Sequence, residues 1–120
     1  LDNLVGGIWE NYYFALADYR KSLELIEATD NPQSYTNVKA MLTALIAYKT
    51  LRETTLYGDM PYSEAGKAFN GAQYYRPVYE SQESIFTAAL ADLKWAADNF
   101  STSGDQVYKF IKVKVCACNA

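Results

Sequence analysis

Residues 36–56 read TNVKAMLTALIAYKTLRETTL, and this stretch decides the fold class. Apolar and small residues leave little polar surface in its middle, and its charged side chains lie mainly toward the ends: Lys39, Lys49, Arg52 and Glu53. An apolar pattern of this length predicts a helix that is buried on most of its surface. Its small side chains allow a neighbouring helix to approach closely, as helical hairpins require: Ala40, Ala44 and Ala47.

An amphipathic helix is predicted before this stretch. Its apolar positions recur at steps of three and four residues: Trp9, Tyr12, Leu16, Tyr19, Leu23 and Ile26. The sequence Asp30-Asn31-Pro32 ends this helix, and either Asn31 or Ser34 is placed to cap the next one. The pattern therefore predicts helices at 9–28 and 35–57.

A third helix is predicted at 82–99. Ser81 is its expected N-cap, and Glu83 lies favourably near the positive end of the helix dipole. Its expected apolar stripe is Phe86, Ala89, Leu90, Leu93, Ala97 and Phe100. The predicted fold is all-α, with antiparallel helical hairpins, one long connecting loop and no sheet within residues 1–105.

The long connection between the second and third helices, residues 57–80, exceeds the usual length of structureless loops in compact domains. It holds five of the chain's 11 tyrosines: Tyr57, Tyr62, Tyr74, Tyr75 and Tyr79. Its glycines and prolines predict a defined path of turns, with one short turn within 63–69. Loops of this length usually carry a function, which makes this connection the first place to look for a site.

Composition limits the possible functions. A chain of 120 residues builds one small domain, and its net charge of −3 disfavours nucleic acid as a partner. The absence of histidine excludes Ser-His-Asp triads and histidine-ligated zinc. Cys116 and Cys118 alone do not complete a metal site, so neither a metal nor a cofactor is predicted.

Three separated segments carry motifs of a known family: LYGDMPYSEA at 56–65, YRPVYESQESIF at 75–86 and LADLKWA at 90–96. In order and spacing they resemble the SusD/RagB family of nutrient-binding outer-membrane lipoproteins of Bacteroidetes. That family has a Tyr-Gly-Asp-x-Pro-Tyr turn after a helix, a loop that ends in Arg-Pro, and a Gln-Glu step that opens the next helix. The resemblance runs from about residue 9 to residue 105 and concerns the family's helical, tetratricopeptide-like part.

The resemblance implies a SusD-like helical domain at 1–105 that binds oligosaccharide nutrients without catalysis. Its implied partner is a SusC-like TonB-dependent transporter, and its implied location is the surface of the outer membrane. Family members are several times longer and carry an N-terminal lipidation cysteine, so this chain is expected to be a fragment or a truncated product. The alternation of Ile111, Val113 and Val115 with Lys112 and Lys114 predicts a strand, which would pair with another copy, form a helix under tertiary pressure or stay frayed. Residues 106–120 are an atypical tail, and the stretch 113–120 departs from the family as a frameshift or premature stop would.

Four residues of the family turn have structural interpretations. Gly58 is expected to cap the second helix in a left-handed conformation, and Asp59 to bond neighbouring amides. Pro61 and Tyr62 are expected to fix the exit path and to return an aromatic ring to the core. Carboxylate pairs for glycoside hydrolysis, Asp59 with Glu64 or Glu80 with Glu83, lack an apolar pocket that would separate their pKa values, so catalysis is not predicted.

Tyr74, Tyr75 and Arg76 are the candidate ligand-binding residues. Aromatic faces beside small or polar neighbours, such as Asn70 and Gln73, suit the apolar faces and hydroxyl groups of a sugar. Packing of this loop against its own helices is an equal alternative, and Arg76 also suits a structural bond to a loop carbonyl or carboxylate.

Two further expectations concern partners. A short helical stack that lacks neighbouring repeats is expected to expose apolar surface or to self-associate. The alternative to a nutrient-binding component is a free-standing helical module that holds a peptide or a partner helix.

Overall fold

The computed structural model describes residues 2–105. Its elements are α1 (Asp2–Glu27), α2 (Thr36–Tyr57), β1 (Met60–Pro61), β2 (Tyr79–Glu80) and α3 (Gln82–Asn99), with short 3₁₀ turns at Pro32–Tyr35, Ala68–Asn70 and Ala72–Tyr74. The predicted strand and tail within 106–120 lie outside the described residues. The predicted all-α, tetratricopeptide-like class is confirmed.

The second and third helices form an antiparallel hairpin. At one end, the Gln82 side chain donates a hydrogen bond to the Thr54 carbonyl over 2.6 Å. At the other end, Asn37 near the start of α2 bonds to Ser101 just past the end of α3. The predicted limits of α2 and α3 are therefore confirmed to within one residue, and α2 has the largest share of buried residues, as predicted.

The first helix packs antiparallel to α2. Tyr12 in α1 shares a hydrogen bond of 2.9 Å with Thr50 in α2, and Lys39 forms an ion pair with Glu27 where α1 ends. The helix begins at Asp2 rather than at the predicted residue 9. Two adjacent glycines, Gly6 and Gly7, weaken a helix by about 1 kcal/mol each, which is why the pattern placed the start after them.

Contacts with α2 hold this glycine-containing first part of α1. The Tyr57 hydroxyl donates a hydrogen bond to the Val5 carbonyl, and the Tyr57 ring meets Trp9 edge-on with centroids 4.9 Å apart. These tertiary contacts offset the weak local propensity of the two glycines.

The cap of α2 differs from the prediction. Neither Asn31 nor Ser34 caps the helix, since its N-cap position is Tyr35 and no side chain there bonds the helix. The two oxygens of the Asp105 carboxylate instead accept hydrogen bonds from the backbone N–H groups of Asn37 and Val38, at 2.6 and 3.0 Å. A carboxylate at a helix N-terminus also interacts favourably with the helix dipole, so the segment that follows α3 closes the hairpin.

The core lies where the three helices meet the start of the long connection. Its buried residues are Tyr12, Leu16, Ile46, Met60, Tyr62, Ala65 and Ile85. The stripe predicted for α1 faces this core. In α3, Ala89 is buried as predicted, but the other buried residues are Ile85 and Ala96, which lie outside the predicted stripe. Leu93, Ala97 and Phe100 of that stripe line an open groove described below.

The expectation of no sheet within residues 1–105 is wrong in one detail. β1 and β2 pair antiparallel, with Met60 opposite Glu80 and Pro61 opposite Tyr79. Both strands lie inside the long connection, so no helix is replaced. The pairing closes the base of the loop. It joins residues that lie far apart in the sequence, so no local pattern in either two-residue segment predicts it. Within the described residues, no helix combines the length and hydropathy needed to cross a membrane.

Candidate functional site

The long connection divides into two parts with different surroundings. Residues 58–67, which we call the anchored half, contain the buried side chains Met60, Pro61, Tyr62 and Ala65. Residues 68–79, which we call the exposed half, contain no buried residue. The candidate turn residues therefore fall in the anchored half, and the candidate ligand-binding residues fall in the exposed half.

The anchored half begins at Gly58, which ends α2 as predicted. Gly58 has φ 75° and ψ −128°, a conformation that favours glycine but is not the predicted left-handed one, and its N–H donates a hydrogen bond to the Thr54 carbonyl. The prediction that Asp59 bonds its neighbouring amides is wrong. Its carboxylate accepts a hydrogen bond of 2.9 Å from the backbone N–H of Gln82, in the first turn of α3. Because Ser81 caps the same helix through the Ser84 N–H, as predicted, two oxygen acceptors hold the start of α3.

Glu80 ties the two ends of the loop together. Its carboxylate accepts hydrogen bonds from the Ser63 N–H at 2.6 Å, the Ser63 hydroxyl at 2.7 Å and the Tyr62 N–H at 3.2 Å. Burial acts to raise the pKa of Glu80, but these donors, together with the charge of Arg20, hold that pKa below its usual value. Asp59 and Glu80, each a member of a carboxylate pair considered for hydrolysis, thus serve as structural acceptors.

Arg20 performs the role that the sequence suggested for Arg76. Its guanidinium donates to the carbonyls of Ser63, at 3.2 Å, and Ala65, and it lies 5.3 Å from the centre of the Tyr62 ring. Burial lowers the pKa of Arg20, while nearby Tyr62 and Tyr12 act in the opposite direction. Sequence reasoning missed Arg20; its one local signal was a basic residue one turn after Leu16 on the buried side of α1.

Tyr62 is buried as predicted. Its hydroxyl donates to the Asp92 carboxylate over 3.3 Å, and burial, with the nearby charge of Asp92, raises the pKa of Tyr62 to about 12. The Tyr13 hydroxyl donates to the Pro61 carbonyl over 2.8 Å, which fixes the exit path from α2. The family turn therefore has a structural role in this chain: it fastens the loop to α1 and α3.

Close packing at Gly66 completes the anchored half. Gly66 has φ 73°, and a Cβ atom at this position would lie 3.1 Å from the backbone nitrogen of Ala17 and 3.1 Å from the Leu16 side chain. No residue with a side chain fits here without displacing α1. The loop backbone therefore rests directly on the first helix.

The exposed half is built from two successive 3₁₀ turns joined at Gly71. It presents Tyr74, which is half-buried, and Tyr75 and Arg76, which are exposed. Within residues 2–105, Arg76 makes no hydrogen bond or ion pair, so its predicted structural bond to the loop is not found there. Turns within the predicted span 63–69 are present, and the regular 3₁₀ turns continue beyond it to Tyr74.

Two exposed residues after the Arg-Pro pair were not singled out as candidates. Val78 and Tyr79 are 72% and 64% exposed, which is comparable with 67% for Tyr75. Neither Tyr75 nor Tyr79 pairs with another aromatic ring in the described part of the chain. Tyr79 had no local signal, because its exposure follows from the pairing of β2 with β1, which joins residues far apart in the sequence.

The helices also leave an apolar groove between α2 and α3. Its volume is about 530 Å³, and its walls include Met41, Leu45, Tyr48, Leu93 and Phe100. None of its lining residues is charged. An exposed apolar surface of this kind is typical of a contact face rather than of a site for a charged ligand.

Comparison with known proteins gives one family. A family described as "SusD-like_2: Starch-binding associating with outer membrane" matches residues 1–111. The chain belongs to this SusD-like family. No curated protein and no solved structure matches it. The family description names starch binding and association with the outer membrane. In this SusD-like chain, a helical scaffold holds one exposed loop surface.

Proposed function

We propose that this SusD-like chain binds starch-type oligosaccharides, without catalysis, through the exposed half of its long connection. The observation that carries the proposal is the contrast in exposure between tyrosines of one loop: Tyr62 is buried, whereas Tyr75 and Tyr79 expose most of their surface. Exposed rings without aromatic partners can cover the apolar face of a sugar. Because the loop base is fastened by hydrogen bonds, little ordering entropy is lost on binding.

Tyr74, Tyr75 and Arg76 are the proposed contact residues. The backbone of the 3₁₀ turns places Tyr74 and Tyr75 next to each other, and the Gln73 amide lies one position earlier. Rings supply apolar faces, while amide and guanidinium groups bond hydroxyl groups. Tyr79 extends the same exposed stretch and is added to the proposed surface.

The test is isothermal titration calorimetry of the chain with a starch-derived oligosaccharide. Tyr75→Ala is expected to weaken binding about fivefold, which corresponds to about 1 kcal/mol for one stacked ring. Tyr74→Ala is expected to have a smaller effect, because half of that ring is already covered by protein. Tyr35→Ala serves as the matched control, since Tyr35 is exposed but lies in the turn between α1 and α2.

The proposal would be contradicted if both loop variants, Tyr74→Ala and Tyr75→Ala, kept the oligosaccharide affinity of the wild type. The variants would also have to be folded and to associate with the transporter as the wild type does. The loop would then have a structural role only, and the groove between α2 and α3 would become the surface to examine.

The proposed setting is the outer-membrane surface, with a SusC-like TonB-dependent transporter as the partner. The family description supports the membrane association, and the transporter is the finer part of the proposal. Co-purification of the transporter with the wild-type chain, and its absence with an unrelated helical protein that carries the same tag, is the expected result. A chain that stays at the membrane without any transporter would contradict the partner assignment.

The apolar groove favours a second candidate function, a helical protein-interaction module. Its uncharged lining suits self-association, with another copy of the chain as the proposed occupant. Sedimentation of the chain is expected to show a dimer that Leu45→Glu converts to a monomer. A monomer at all concentrations, with no dye-accessible apolar surface, would contradict this candidate.

A further inference from the structure

The apolar groove between α2 and α3 follows both helices. Along α2 its walls run from Ala40 to Tyr48, and along α3 they run from Leu93 to Phe100. Because each helical residue adds about 1.5 Å, these walls extend for roughly 10–12 Å. The two helices are antiparallel, so Ala40 and Phe100 lie together at one end of the groove.

The last described residue, Asp105, is fastened at that same end. Its carboxylate and carbonyl oxygens accept hydrogen bonds from the backbone and the side chain of Asn37, at 2.6 and 3.0 Å. Asn37 is fully buried, and it lies three positions before the groove residue Ala40. It also bonds Ser101, the residue that follows Phe100. The chain therefore continues past residue 105 from this end of the groove.

The next six residues have the composition that such a groove requires. Residues 106–111 read QVYKFI, and four of the six are aliphatic or aromatic: Val107, Tyr108, Phe110 and Ile111. The groove itself is lined without any charged residue. The family match continues through residue 111, so these six residues belong to the same family-matched region as the walls of the groove.

Reach and covalent linkage favour this segment over a separate molecule. An extended chain spans about 3.3 Å per residue, so six residues reach about 20 Å, which exceeds the length of the groove. Because the segment is joined to the chain at one end of the groove, its effective concentration there is of millimolar order. A second copy at ordinary protein concentrations competes poorly with a segment held in this way.

We propose that residues 106–111 bind in the groove between α2 and α3 of the same chain and cover it. Their aliphatic and aromatic side chains contact the groove walls at Met41, Leu45 and Leu93. This inference is independent of the proposed glycan binding. It competes with the second candidate function, which assigns the same groove to another copy. A chain whose groove is filled in this way is a monomer, and a partner helix binds there only by displacing the segment.

The test is nuclear Overhauser spectroscopy of the full chain. Contacts are expected between the ring protons of Tyr108 and Phe110 and the methyl groups of Met41, Leu45 and Leu93. A second sample mixes equal amounts of isotope-labelled and unlabelled chain, and an isotope filter then detects only the contacts between two copies. The filtered spectrum is expected to show none of these contacts.

Two outcomes of this measurement would overturn the inference. The same contacts in the filtered spectrum would assign the groove to a second copy. Absence of the contacts from both samples would show that residues 106–111 do not bind there. Both samples use the unchanged sequence, so the result does not depend on whether a variant folds.

A matched pair of variants tests the same contact through exposure of the groove. Phe110→Asp is expected to raise the fluorescence of anilinonaphthalene sulfonate, a dye that binds apolar surface, severalfold over the wild type. Asn119→Asp makes the same change in charge outside the segment, and its dye fluorescence is expected to equal that of the wild type. Circular dichroism checks that both variants keep their helices. Equal fluorescence of the two variants would overturn the inference.

Oligosaccharide affinity separates this inference from the proposed function. Phe110→Asp is expected to bind the oligosaccharide as tightly as the wild type, because none of the groove residues belongs to the long connection. Loss of affinity in Tyr75→Ala without the expected groove contacts would leave the loop proposal standing and overturn this one. Groove contacts together with a neutral Tyr75→Ala would do the reverse.

Discussion

The anchored and exposed halves of the long connection have similar lengths, but they differ in tyrosine content and in contacts: the anchored half holds Tyr62, and the exposed half holds Tyr74, Tyr75 and Tyr79. The anchored half is bonded to α1 through Arg20 and Tyr13 and to β2 through Glu80. Within the described residues, the exposed half is joined to the rest of the fold by the pairing of Tyr79 with Pro61 and by the Lys21 ammonium, 4.6 Å from the centre of the Phe69 ring. Its other bonds are local ones within its 3₁₀ turns, such as that from Gln73 to the Asn70 carbonyl. Exposure therefore distinguishes Tyr62, which is buried in the fold, from Tyr75 and Tyr79, which belong to the proposed binding surface.

The largest expected effect separates two arginines. Arg20→Ala is expected to lower the free energy of unfolding by about 2–3 kcal/mol, because the carbonyls of Ser63 and Ala65 lose their donor. Arg76→Ala, in the exposed half, is expected to change it by less than about 0.5 kcal/mol. Urea denaturation of both variants measures the difference, and equal losses would show that the two halves are not distinct.

The next effect compares two glycines with nearly equal φ angles, 75° at Gly58 and 73° at Gly66. Gly66→Ala is expected to cost about 2 kcal/mol, because its new Cβ atom meets the Ala17 backbone in addition to adopting an unfavourable φ. Gly58→Ala has no neighbour within 4 Å and is expected to cost only about 1 kcal/mol, the cost of the backbone conformation alone. Thermal unfolding of both variants measures the difference in stability. A larger loss of stability in Gly58→Ala than in Gly66→Ala would contradict the packing of the loop on α1.

A smaller effect depends on pH. Because the folded-state pKa of Glu80 is held below its unfolded value, its hydrogen bonds stabilise the protein above about pH 4.3, and this contribution is lost as the pH falls through the folded pKa. Glu80→Gln is expected to lower stability by about 1 kcal/mol at pH 7 and by less at pH 3. The exposed Glu64→Gln is the control, and a Glu80→Gln difference that grows toward acid pH would refute the clamp.

The smallest expected effect is on stability in the exposed half. Tyr75→Ala is expected to change the free energy of unfolding by less than about 0.5 kcal/mol, since the ring is exposed and has no aromatic partner within residues 2–105. Circular dichroism during urea unfolding measures this change. A loss comparable with that of Arg20→Ala would mean that the ring packs on the fold and is not a free binding face.

Sequence patterns predicted the helices well because their signals are local. The limits of α2 and α3 follow from a continuous apolar stretch and from Ser81 as a cap, and both are confirmed. The start of α1 was missed because its stability there comes from Tyr57, a residue 52 positions away from Val5. Local propensity does not contain that contact.

The roles of individual loop residues were less predictable for the same reason. Asp59, Glu80 and Asp105 all bond to backbone groups that lie far away in the sequence, so their partners are set by the fold. The end of α2 at Gly58, the exit path at Pro61 and the burial of Tyr62 were predicted correctly, because a helix end, a fixed φ and a buried ring are local or compositional features. The left-handed conformation expected at Gly58 was wrong, since its ψ is −128°.

The most direct test of the central claim is an amide chemical-shift titration of the chain with a starch-derived oligosaccharide. We expect the largest shift changes in the exposed half, at 68–79, with small changes in the anchored half, at 58–67. The Tyr75→Ala variant is expected to reduce those changes at the same ligand concentration. Shift changes confined to the anchored half or to the groove between α2 and α3, with residues 68–79 unperturbed, would contradict the account.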